Sequence, residues 1–373
     1  MKKRLPFLTG GLLIIYVFAF LGLQILAKDK EFSDLENRNL SSRPEFSTET
    51  LLDGSYGTDF ETYIADQFPL RNQFISVKAY MELMLQKKDN NDVYIGKDDY
   101  FLQKFNTPDM EVVTRNANYI NEFAKNFNVY VGIAPTATKV LEEKLPAYAN
   151  PYDEEVYINN FHSALSDDVN KLDFLSILRE HKEEYIYYKT DHHWTTLGAY
   201  YAYTELCSKM GITPLDMEEF DIETVSDEFY GTLFSKGNFT FATPDSIQIF
   251  DAKKENPVTV KYEGNGKETD TLYELHHLDT KDKYSIFLDN NHPLVKISTS
   301  VKNGKKLLII KDSYANCFIP FLTHHFEEIQ IIDLRLMNAP VTTLAKEAGI
   351  TDVLMLYNVQ NFSTENKLSL LLN

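Results

Sequence analysis

The sequence contains little cysteine and little basic charge. Only two cysteines, Cys207 and Cys317, occur among 373 residues. Two cysteines cannot form a disulfide framework and neither has a metal-ligand spacing, so we expect buried thiols on apolar helix faces. Lysine and arginine together number 37 against 55 acidic residues, which gives a formal net charge of −18. Because no basic patch stands out, the sequence predicts no nucleic-acid partner.

Long uncharged runs are also scarce, and the one that stands out covers residues 5–27, directly after Lys2, Lys3 and Arg4. It is long enough to span a bilayer as a helix. Its end, Ile25-Leu26-Ala27, lacks the small residue that a signal peptidase site needs three positions before the cut. We therefore predict an uncleaved anchor with the basic tip inside and the body of the chain outside the cell. The alternative is a cleaved signal peptide. The predicted localisation is a single-pass protein of the cell membrane with an extracellular body.

Changes of pattern divide the chain into five segments. We predict a cytoplasmic tip and transmembrane anchor (1–30), an extended tether and helices that pack on the main domain (31–90), the first part of the main domain (91–245), a β-rich insertion with a two-residue period (246–300), and the second part of the main domain (301–373).

The last segment alternates strand and helix with short joints. Strands are predicted at 306–311, 328–333 and 352–357, and helices at 313–325, 341–348 and 363–372. Such alternation is typical of right-handed βαβ units, and the apolar run 129–134 predicts another buried parallel strand. The predicted fold class is α/β, with a parallel sheet flanked by helices, the β-rich insertion and the N-terminal transmembrane helix.

One stretch concentrates chemistry: Asp191-His192-His193-Trp194 contains an acid, two imidazoles and the only tryptophan of the chain. In extended chain, positions i and i+2 face the same way, so Asp191 can orient the ring of His193 and raise its basicity. His192 faces elsewhere. Adjacent imidazoles that point apart are unfavourable for a metal, so we predict no metal and no cofactor. Trp194 either packs under this loop or stacks on a sugar.

A nucleophile is offered by Ser313, which follows the apolar strand 307–310 at a predicted strand-to-helix joint. Free backbone N–H groups at such a joint favour an oxyanion, and the N–H of Ser313 or Tyr314 would hold it. We predict that Asp191, His193 and Ser313 form one acyl-transfer triad, with Asp312 anchoring the turn. Serine is also a common helix cap, which is the alternative interpretation.

Other polar residues have weaker patterns. Thr136, Thr138 and Lys139 follow strand 129–134, where open α/β sheets place ligand sites, and are candidates for lining a cleft. Asp66 and Arg71 flank a proline and are interpreted as a salt-bridged turn. The segment Phe229-Tyr230-Gly231-Thr232-Leu233-Phe234-Ser235-Lys236 is distinctive, but the sequence predicts no role for it. We interpret His276, His277 and His292 as surface residues rather than metal ligands.

The Asp191-His192-His193-Trp194 tetrad resembles the motif that names the DHHW proteins of Gram-positive bacteria. The chain is also similar to the alginate O-acetyltransferase group, whose fold is of the SGNH-hydrolase type. The shared motifs are Glu36-Asn37-Arg38, Asp66-Gln67-Phe68-Pro69-Leu70-Arg71, Ala134-Pro135 and Asp312-Ser313-Tyr314.

This resemblance implies Asp191, His193 and Ser313 as the triad, and it adds Arg335 and Tyr357 or Asn358 as cleft residues. Lys311 departs from the pattern, because hydrolases of this type have glycine there. The resemblance also implies a multi-pass membrane acyltransferase as acetyl donor and a polysaccharide as acceptor.

Three functions follow as hypotheses. The first is an O-acetyltransferase for a cell-wall or secreted polysaccharide. The second is an acetyl esterase with the same triad, in which water takes the acyl group instead of a sugar. The third is a non-catalytic envelope scaffold, in which Ser313 is only a cap.

Overall fold

The computed structural model describes residues 5–33, 35–239, 241–264 and 266–372, with residues 5–8 described by their backbone alone. Lys2, Lys3 and Arg4, on which the predicted orientation of the anchor depends, lie outside the described residues. The described chain forms two compact units. The first runs up to Lys87 and includes residues 238–239, and the second contains the rest from Lys88 onward.

The first unit is mostly helical. Its elements are α1 (Leu5–Leu26), β1 (Phe32–Ser33), β2 (Arg38–Asn39), α2 (Thr48–Leu52), α3 (Ser55–Asp66) and α4 (Arg71–Met84). Within α1, Thr9–Leu26 is long and apolar enough to cross a membrane, and none of it is buried within the described structure. A span of this kind near an N-terminus is equally typical of a signal sequence, so composition alone does not separate the two predictions.

Two of the shared sequence motifs meet in an ionic cluster of this unit. Arg38 makes a two-pronged contact with the buried Asp66, at 2.5 and 2.9 Å, and Arg71 makes one with Glu36 at 2.5 and 3.1 Å. Asp66 and Arg71, the predicted pair, are 3.8 Å apart, so each has its nearest ionic partner elsewhere. The hydrogen bond from Arg38 lowers the pKa of Asp66 well below its usual range, against the opposing effect of burial. Arg38 of this cluster belongs to the short β1–β2 ladder, which forms where the sequence predicted an extended tether.

The second unit contains the remaining strands. They are β3 (Asp89–Asn90), β4 (Val93–Ile95), β5 (Phe101–Gln103), β6 (Asn128–Ala134), β7 (Val169–Lys171), β8 (Phe220–Phe229), β9 (Asp245–Ala252), β10 (Thr259–Tyr262), β11 (Lys267–Thr269), β12 (Leu294–Ser298), β13 (Lys306–Lys311), β14 (Glu328–Ile332) and β15 (Asp352–Asn358).

Its helices lie between these strands, except for the last, which follows β15. They are α5 (Met110–Ala124), α6 (Ala137–Val140), α7 (Glu154–Ala164), α8 (Phe174–Glu180), α9 (Thr196–Met210), α10 (Thr232–Gly237), α11 (Val341–Ala348) and α12 (Val359–Ser363). Thr195 caps α9 through the Gly198 N–H, and Gly211 ends the helix in the left-handed conformation that glycine adopts readily.

An eight-stranded sheet organises this unit, in the order β11-β10-β12-β14-β13-β15-β6-β7. The strands from β14 to β7 are parallel, whereas β12, β10 and β11 join antiparallel. The sheet is therefore mixed, and the prediction of a parallel sheet was too narrow. Strands β10 to β12, which lie in the segment predicted as an insertion, extend the central sheet at one edge, because β12 pairs with the free side of β14. β8 and β9 form a separate antiparallel pair.

Apolar cores cover both faces of the sheet. In β13, Leu307 and Ile309 belong to one core cluster, whereas Leu308 and Ile310 belong to the other. This alternation explains the unbroken apolar run in the sequence, since a parallel strand between two helical layers buries both faces.

The chain after β13 is not the α-helix predicted at 313–325. It forms two 3-10 turns, Ser313–Ala315 and Ile319–His324. Pro320 explains the difference, because proline lacks an N–H donor and disfavours α conformation in the residue before it. Cys317 is buried between these turns and not on a helix face, whereas Cys207 is buried within α9. The predicted helix 363–372 is likewise replaced by the end of α12 and a 3-10 turn at Leu368–Leu372.

Candidate active site

The nucleophile candidate lies at the carboxyl end of a central strand. β13 runs between β14 and β15, and Ser313 follows it by two residues. The intervening Asp312 is buried and fixes the turn. Its Oδ1 accepts the Tyr314 N–H at 2.9 Å, and its Oδ2 accepts the Asn358 N–H and the Asn361 Nδ2–H, each at 2.8 Å. The turn that carries Ser313 is thus tied to the end of the neighbouring strand β15.

Asp191, His193 and Ser313 form one hydrogen-bonded chain. His193 Nδ1 lies 2.6 Å from Asp191 Oδ1, and His193 Nε2 lies 2.8 Å from Ser313 Oγ. Because a carboxylate only accepts, Nδ1 carries the proton, and Nε2 is left to accept the serine hydroxyl. Asp191 and His193 are buried, whereas Ser313 is partly exposed. This is the arrangement that general-base activation of a serine requires.

The electrostatics favour an ionised Asp191. Burial alone would raise the pKa of Asp191, but His192, His193 and hydrogen bonds from His193 and Thr232 outweigh it and hold that pKa well below its usual range. Burial lowers the pKa of His192 to about 3, with His193 adding to the effect and Asp191 opposing it. His192 is therefore neutral at physiological pH and adds no positive charge beside Asp191.

The distinctive segment around Gly231 supports Asp191 from the side opposite His193. Thr232 donates to Asp191 Oδ2 from its N–H at 2.7 Å and from its hydroxyl at 3.0 Å, and the same hydroxyl lies 2.6 Å from His192 Nδ1. A Cβ at Gly231 would lie 2.2 Å from Asp191 Cβ and 2.4 Å from Oδ2. Glycine is therefore required here by the close approach of the carboxylate. The sequence marked this segment but not its role.

The loop before the triad acid is held by a buried carboxylate. Asp245 accepts the Lys189 N–H at 2.7 Å, the Thr190 N–H at 2.8 Å and the Thr190 hydroxyl at 2.5 Å, and it also accepts the hydroxyl of Tyr185. Buried carboxylates with several donors fix backbone geometry strongly. The loop that precedes Asp191 is therefore held rigidly by Asp245. The sequence did not indicate this role for Asp245.

Tyr284 covers the triad imidazole. Its ring stacks on that of His193 with centroids 3.9 Å apart and planes 10° apart, and its hydroxyl donates to the Ser313 carbonyl at 3.1 Å. Tyr284 lies in the segment predicted as a β-rich insertion, so nothing in its local pattern connected it to the site. It keeps water from one face of the imidazole and ties that face to the turn that carries Ser313.

Of the two backbone donors predicted for an oxyanion, one is already engaged. The Tyr314 N–H donates to Asp312 Oδ1, as described above. The Ser313 N–H has no acceptor among the residues that the structure describes. Because the turn is a single 3-10 turn, the favourable end of a long helix dipole is absent from this part of the described chain, and the free N–H is the main local donor.

Trp194 and Arg335, two further predicted site residues, differ in how far they are buried. Trp194 is 0% exposed and donates its Nε1–H to the Tyr314 carbonyl at 2.9 Å, so its ring packs under the loop and offers no face to a sugar. Arg335 makes a two-pronged contact with Asp333, at 2.9 and 2.6 Å, and 39% of its side chain is exposed.

Tyr357 and Asn358 are buried at the end of β15, beside the turn that carries Ser313. The Tyr357 hydroxyl and the Asn358 Nδ2 have no hydrogen-bond partner within the described part of the chain. Asn358 Oδ1 caps α12 through the Gln360 N–H at 2.8 Å. Each of the two residues therefore has one buried polar atom at the end of β15 that makes no hydrogen bond within the described part of the chain.

Thr136, Thr138 and Lys139 are held by partners of their own. Thr136 donates to the buried Glu154 from its N–H and hydroxyl, and Lys139 Nζ lies 2.9 Å from Asp153 Oδ1. The Thr138 hydroxyl donates to the Gln103 carbonyl at 2.7 Å. Their contacts are with the α6–α7 region and β5, and the structure does not bring them into the hydrogen-bonded chain of the triad.

Lys311, the departure from the hydrolase pattern, is buried at the end of β13. Its Nζ donates to Asn291 Oδ1 at 2.7 Å and to Asn316 Oδ1 at 2.6 Å. Burial lowers the pKa of Lys311 to about 8, with Asp333 and Asp312 opposing the effect and Arg335 adding to it. Lys311 therefore forms a buried polar network with Asn291 and Asn316 beside the turn that carries Ser313.

Among the residues that the structure describes, two groups of side chains have ligand atoms close enough for a metal ion. In Asp191, His192 and His193, both nitrogens of His193 already serve the triad contacts. In the second group, His276, His277 and Asp289, the Lys267 ammonium lies 3.0 Å from Asp289 Oδ2 and already supplies a positive charge.

The protein is thus of the α/β class, with a mixed sheet and an Asp–His–Ser hydrogen-bonded chain at the end of one strand. Comparison with known families gives the membership: the model of the family described as "DHHW protein" matches residues 36–125 and 88–332, so the chain belongs to the DHHW family. Among curated relatives, two are named probable alginate O-acetylase AlgJ. The one from Pseudomonas syringae pv. tomato is 24% identical over 253 residues, which are 64% of this chain and 62% of the relative. The one from Pseudomonas fluorescens is 25% identical over 315 residues, 79% of this chain and 73% of the relative.

The match to the Pseudomonas syringae relative covers less than two thirds of the length of that relative.

Among solved structures, a DHHW family protein from Eubacterium siraeum is 27% identical with a TM-score of 0.64, and the match covers 76% of this chain and 96% of that one. PatB1 of Bacillus cereus, determined with a sulfonyl adduct, has a TM-score of 0.64 at 21% identity over 74% of this chain and 98% of its own. The likeness to PatB1 supports the fold.

Proposed function

We propose that this protein is a membrane-anchored, extracellular O-acetyltransferase that moves an acetyl group onto a cell-wall or secreted polysaccharide. The reaction centre is the triad of Ser313, His193 and Asp191 on an SGNH-hydrolase-like domain. The observation that carries the proposal is the continuous hydrogen-bonded chain from Asp191 through His193 to Ser313, which joins residues 120 positions apart. A serine that merely caps a turn needs no imidazole at 2.8 Å.

The reaction follows from this geometry in two half-reactions. His193 Nε2 removes the Ser313 hydroxyl proton while Oγ attacks the acetyl carbonyl carbon of the donor. The Ser313 N–H stabilises the oxyanion, and the donor oxygen leaves with the proton from His193, which gives an acetyl-serine. A sugar hydroxyl then gives its proton to His193 and attacks the acetyl group, and the imidazolium returns that proton to Ser313.

Other residues have supporting roles in this proposal. Asp191 stabilises the imidazolium cation, which its low pKa permits because the carboxylate stays charged. Arg335, Tyr357 and Asn358 are assigned to the cleft, since Arg335 has an exposed part and the other two have unpaired polar atoms at the end of β15. Trp194 is assigned a packing role because it is fully buried.

The choice of substrate rests on the relatives. Two curated relatives are named probable alginate O-acetylase, so an acetylated polysaccharide is the substrate class that we assign here. The acetyl donor is proposed to be a multi-pass membrane acyltransferase, which would place this chain at the outer surface of the cell membrane. The exposed apolar helix α1 is proposed as the single-pass anchor for that position.

An acetyl-transfer assay on the full-length protein tests the proposal. The purified protein is given a chromogenic acetyl ester with or without a glycan oligomer, and acetylated oligomer and free acetate are measured by mass spectrometry. We expect acetylated oligomer from the wild type and a loss of roughly 10³-fold or more in Ser313→Ala. Ser163→Ala is the matched control, because Ser163 is an exposed serine whose hydroxyl donates only to Asn159 O within its own helix.

The outcomes separate the three hypotheses. Acetylated oligomer that depends on Ser313 supports the transferase. Acetate release that depends on Ser313, without acetylated oligomer from any acceptor, would make the protein an esterase. Neither acetylated oligomer nor acetate from the wild type would favour the non-catalytic scaffold. Equal, measurable activity of Ser313→Ala and wild type would refute a serine nucleophile.

A further inference from the structure

An aromatic cluster in the first unit joins α1 to the corner between α3 and α4. The Phe20 ring stacks on that of Phe68 with centroids 5.3 Å apart and planes 5° apart, and the Phe74 centroid lies 5.8 Å from that of Phe20. Phe20 lies inside the apolar stretch Thr9–Leu26 and precedes its end by six residues (26 − 20). At 1.5 Å per residue, that is about 9 Å along the helix. Phe68 and Phe74 therefore lie beside the apolar part of α1, well before its polar end.

An apolar stripe continues from this corner along α4. Within α4, Phe74, Val77, Met81 and Met84 follow one another at steps of three, four and three residues, and Leu70 directly precedes the helix; all five are exposed in the described structure. Such spacing places side chains on one narrow face of a helix. A contiguous apolar stripe on a protein surface usually marks a contact with another molecule or with lipid.

Polar groups gather at the end of α1, on the level where the apolar stretch stops. The Gln67 side chain donates to the Lys30 carbonyl at 2.9 Å and to the Ser41 carbonyl at 3.1 Å, and it accepts the Lys30 N–H at 2.9 Å. The ionic cluster around Asp66 lies one residue away along the chain. The unit therefore changes from aromatic to polar contacts at the end of α1, as a protein seated at a bilayer interface does.

Electrostatic attraction does not determine what binds the apolar stripe. Lys28 and Lys30 alternate with Asp29 and Glu31 just after α1, so the polar layer has no excess of positive charge. Binding would come from burying apolar area, and anionic headgroups are not needed.

We propose that Leu70, Phe74, Val77 and Met81 insert into the outer leaflet of the membrane, so that the α3–α4 corner is a second membrane contact beside α1. The occupant of the stripe is lipid acyl chain, because the corner already packs against α1 at the depth of its apolar stretch. This inference rests on the proposed role of α1 as anchor. Its consequence is a first unit with a fixed tilt on the membrane, rather than one that swings freely on a single helix.

Fluorescence quenching by lipids tests the depth of the stripe. The full-length protein is reconstituted in phosphatidylcholine vesicles whose acyl chains carry bromine, which quenches tryptophan at hydrocarbon depth. Leu70→Trp and Met81→Trp are compared with Tyr148→Trp, a residue that is 94% exposed in the second unit. The emission of the buried Trp194, present in every sample, is subtracted with the wild type.

We expect a blue shift and strong quenching of the added emission in Leu70→Trp and Met81→Trp, and neither effect in Tyr148→Trp. Extraction at alkaline pH is measured in parallel. Release of the wild type by this wash would refute the anchor and, with it, the present inference. Retention of the protein with no quenching of either variant would overturn the inference alone and assign the stripe to a protein partner. The acetyl-transfer assay on the same samples reports on the enzymatic proposal independently.

Discussion

Substitution of Gly231 by alanine tests whether the segment after β8 sets the position of the triad acid. Real Cβ contacts are essentially never shorter than 3.0 Å, and an added Cβ would lie 2.2 Å from Asp191 Cβ. The two groups must therefore move apart by at least 0.8 Å in total (3.0 − 2.2). Asp191 is held on its other side by His193, so this shift acts directly on the hydrogen bond between them.

The size of the effect follows from that hydrogen bond. The displacement points towards His193, and the 2.6 Å distance from His193 Nδ1 to Asp191 Oδ1 leaves no room for it along the bond, so the carboxylate must turn aside and this hydrogen bond is lost. A hydrogen bond to a charged group contributes about 1.5–3 kcal/mol. At about 1.36 kcal/mol per tenfold in rate, kcat should fall roughly 10- to 150-fold.

The assay is kcat on a chromogenic acetyl ester, measured together with thermal unfolding to confirm that the variant is folded. Gly57→Ala is the control, because Gly57 lies within α3 and an added Cβ there meets nothing within 4 Å. A folded Gly231→Ala variant with kcat within twofold of the wild type would show that the position of Asp191 is not critical, and it would refute the reasoning.

Two further predictions concern the surroundings of the triad. Thr232→Val keeps the backbone N–H contact with Asp191 but loses the hydroxyl contact, which contributes about 1–2 kcal/mol. We therefore expect kcat about tenfold lower in Thr232→Val and recovery in Thr232→Ser. Equal rates for the valine and serine variants would contradict a role for the hydroxyl. The pKa of Lys311 is about 8 in the folded protein against an ordinary 10.5, so the unfolded chain binds more protons between these values and stability should rise with pH across that window. Lys311→Met should therefore be more stable at pH 7, by at most about 3 kcal/mol, with the difference shrinking towards pH 10.5 in urea unfolding; a difference that grows with pH would disprove this.

The local patterns were informative where a structure depends on short-range periodicity. Strands β13, β14 and β15 lie within one residue of their predicted bounds, because a buried parallel strand is an unbroken apolar run between breaks. The predicted helix 313–325 failed for an equally local reason, since Pro320 opposes α conformation and the chain folds into 3-10 turns instead.

Long-range pairing explains what the sequence did not show. The strands of residues 246–300 have the expected two-residue period, but only hydrogen bonding to β14 decides that β10 to β12 extend the central sheet. Gly231, Thr232, Asp245 and Tyr284 belong to the site by tertiary contact alone, and none of them has a local motif that predicts such a role.

The sequence by itself determined which residues carry reactive groups: an acid two positions before a histidine, and a serine where an apolar strand ends. These are local features, since side-chain chemistry and strand periodicity extend over only a few residues. Only the tertiary structure decided that His193 meets Ser313 at 2.8 Å, because that contact depends on β13 lying between β14 and β15 and on Asp312 tying the turn to Asn358. The physical reason is that contacts between residues 120 positions apart are set by the packing of whole elements, on which the neighbouring residues in the chain have little influence.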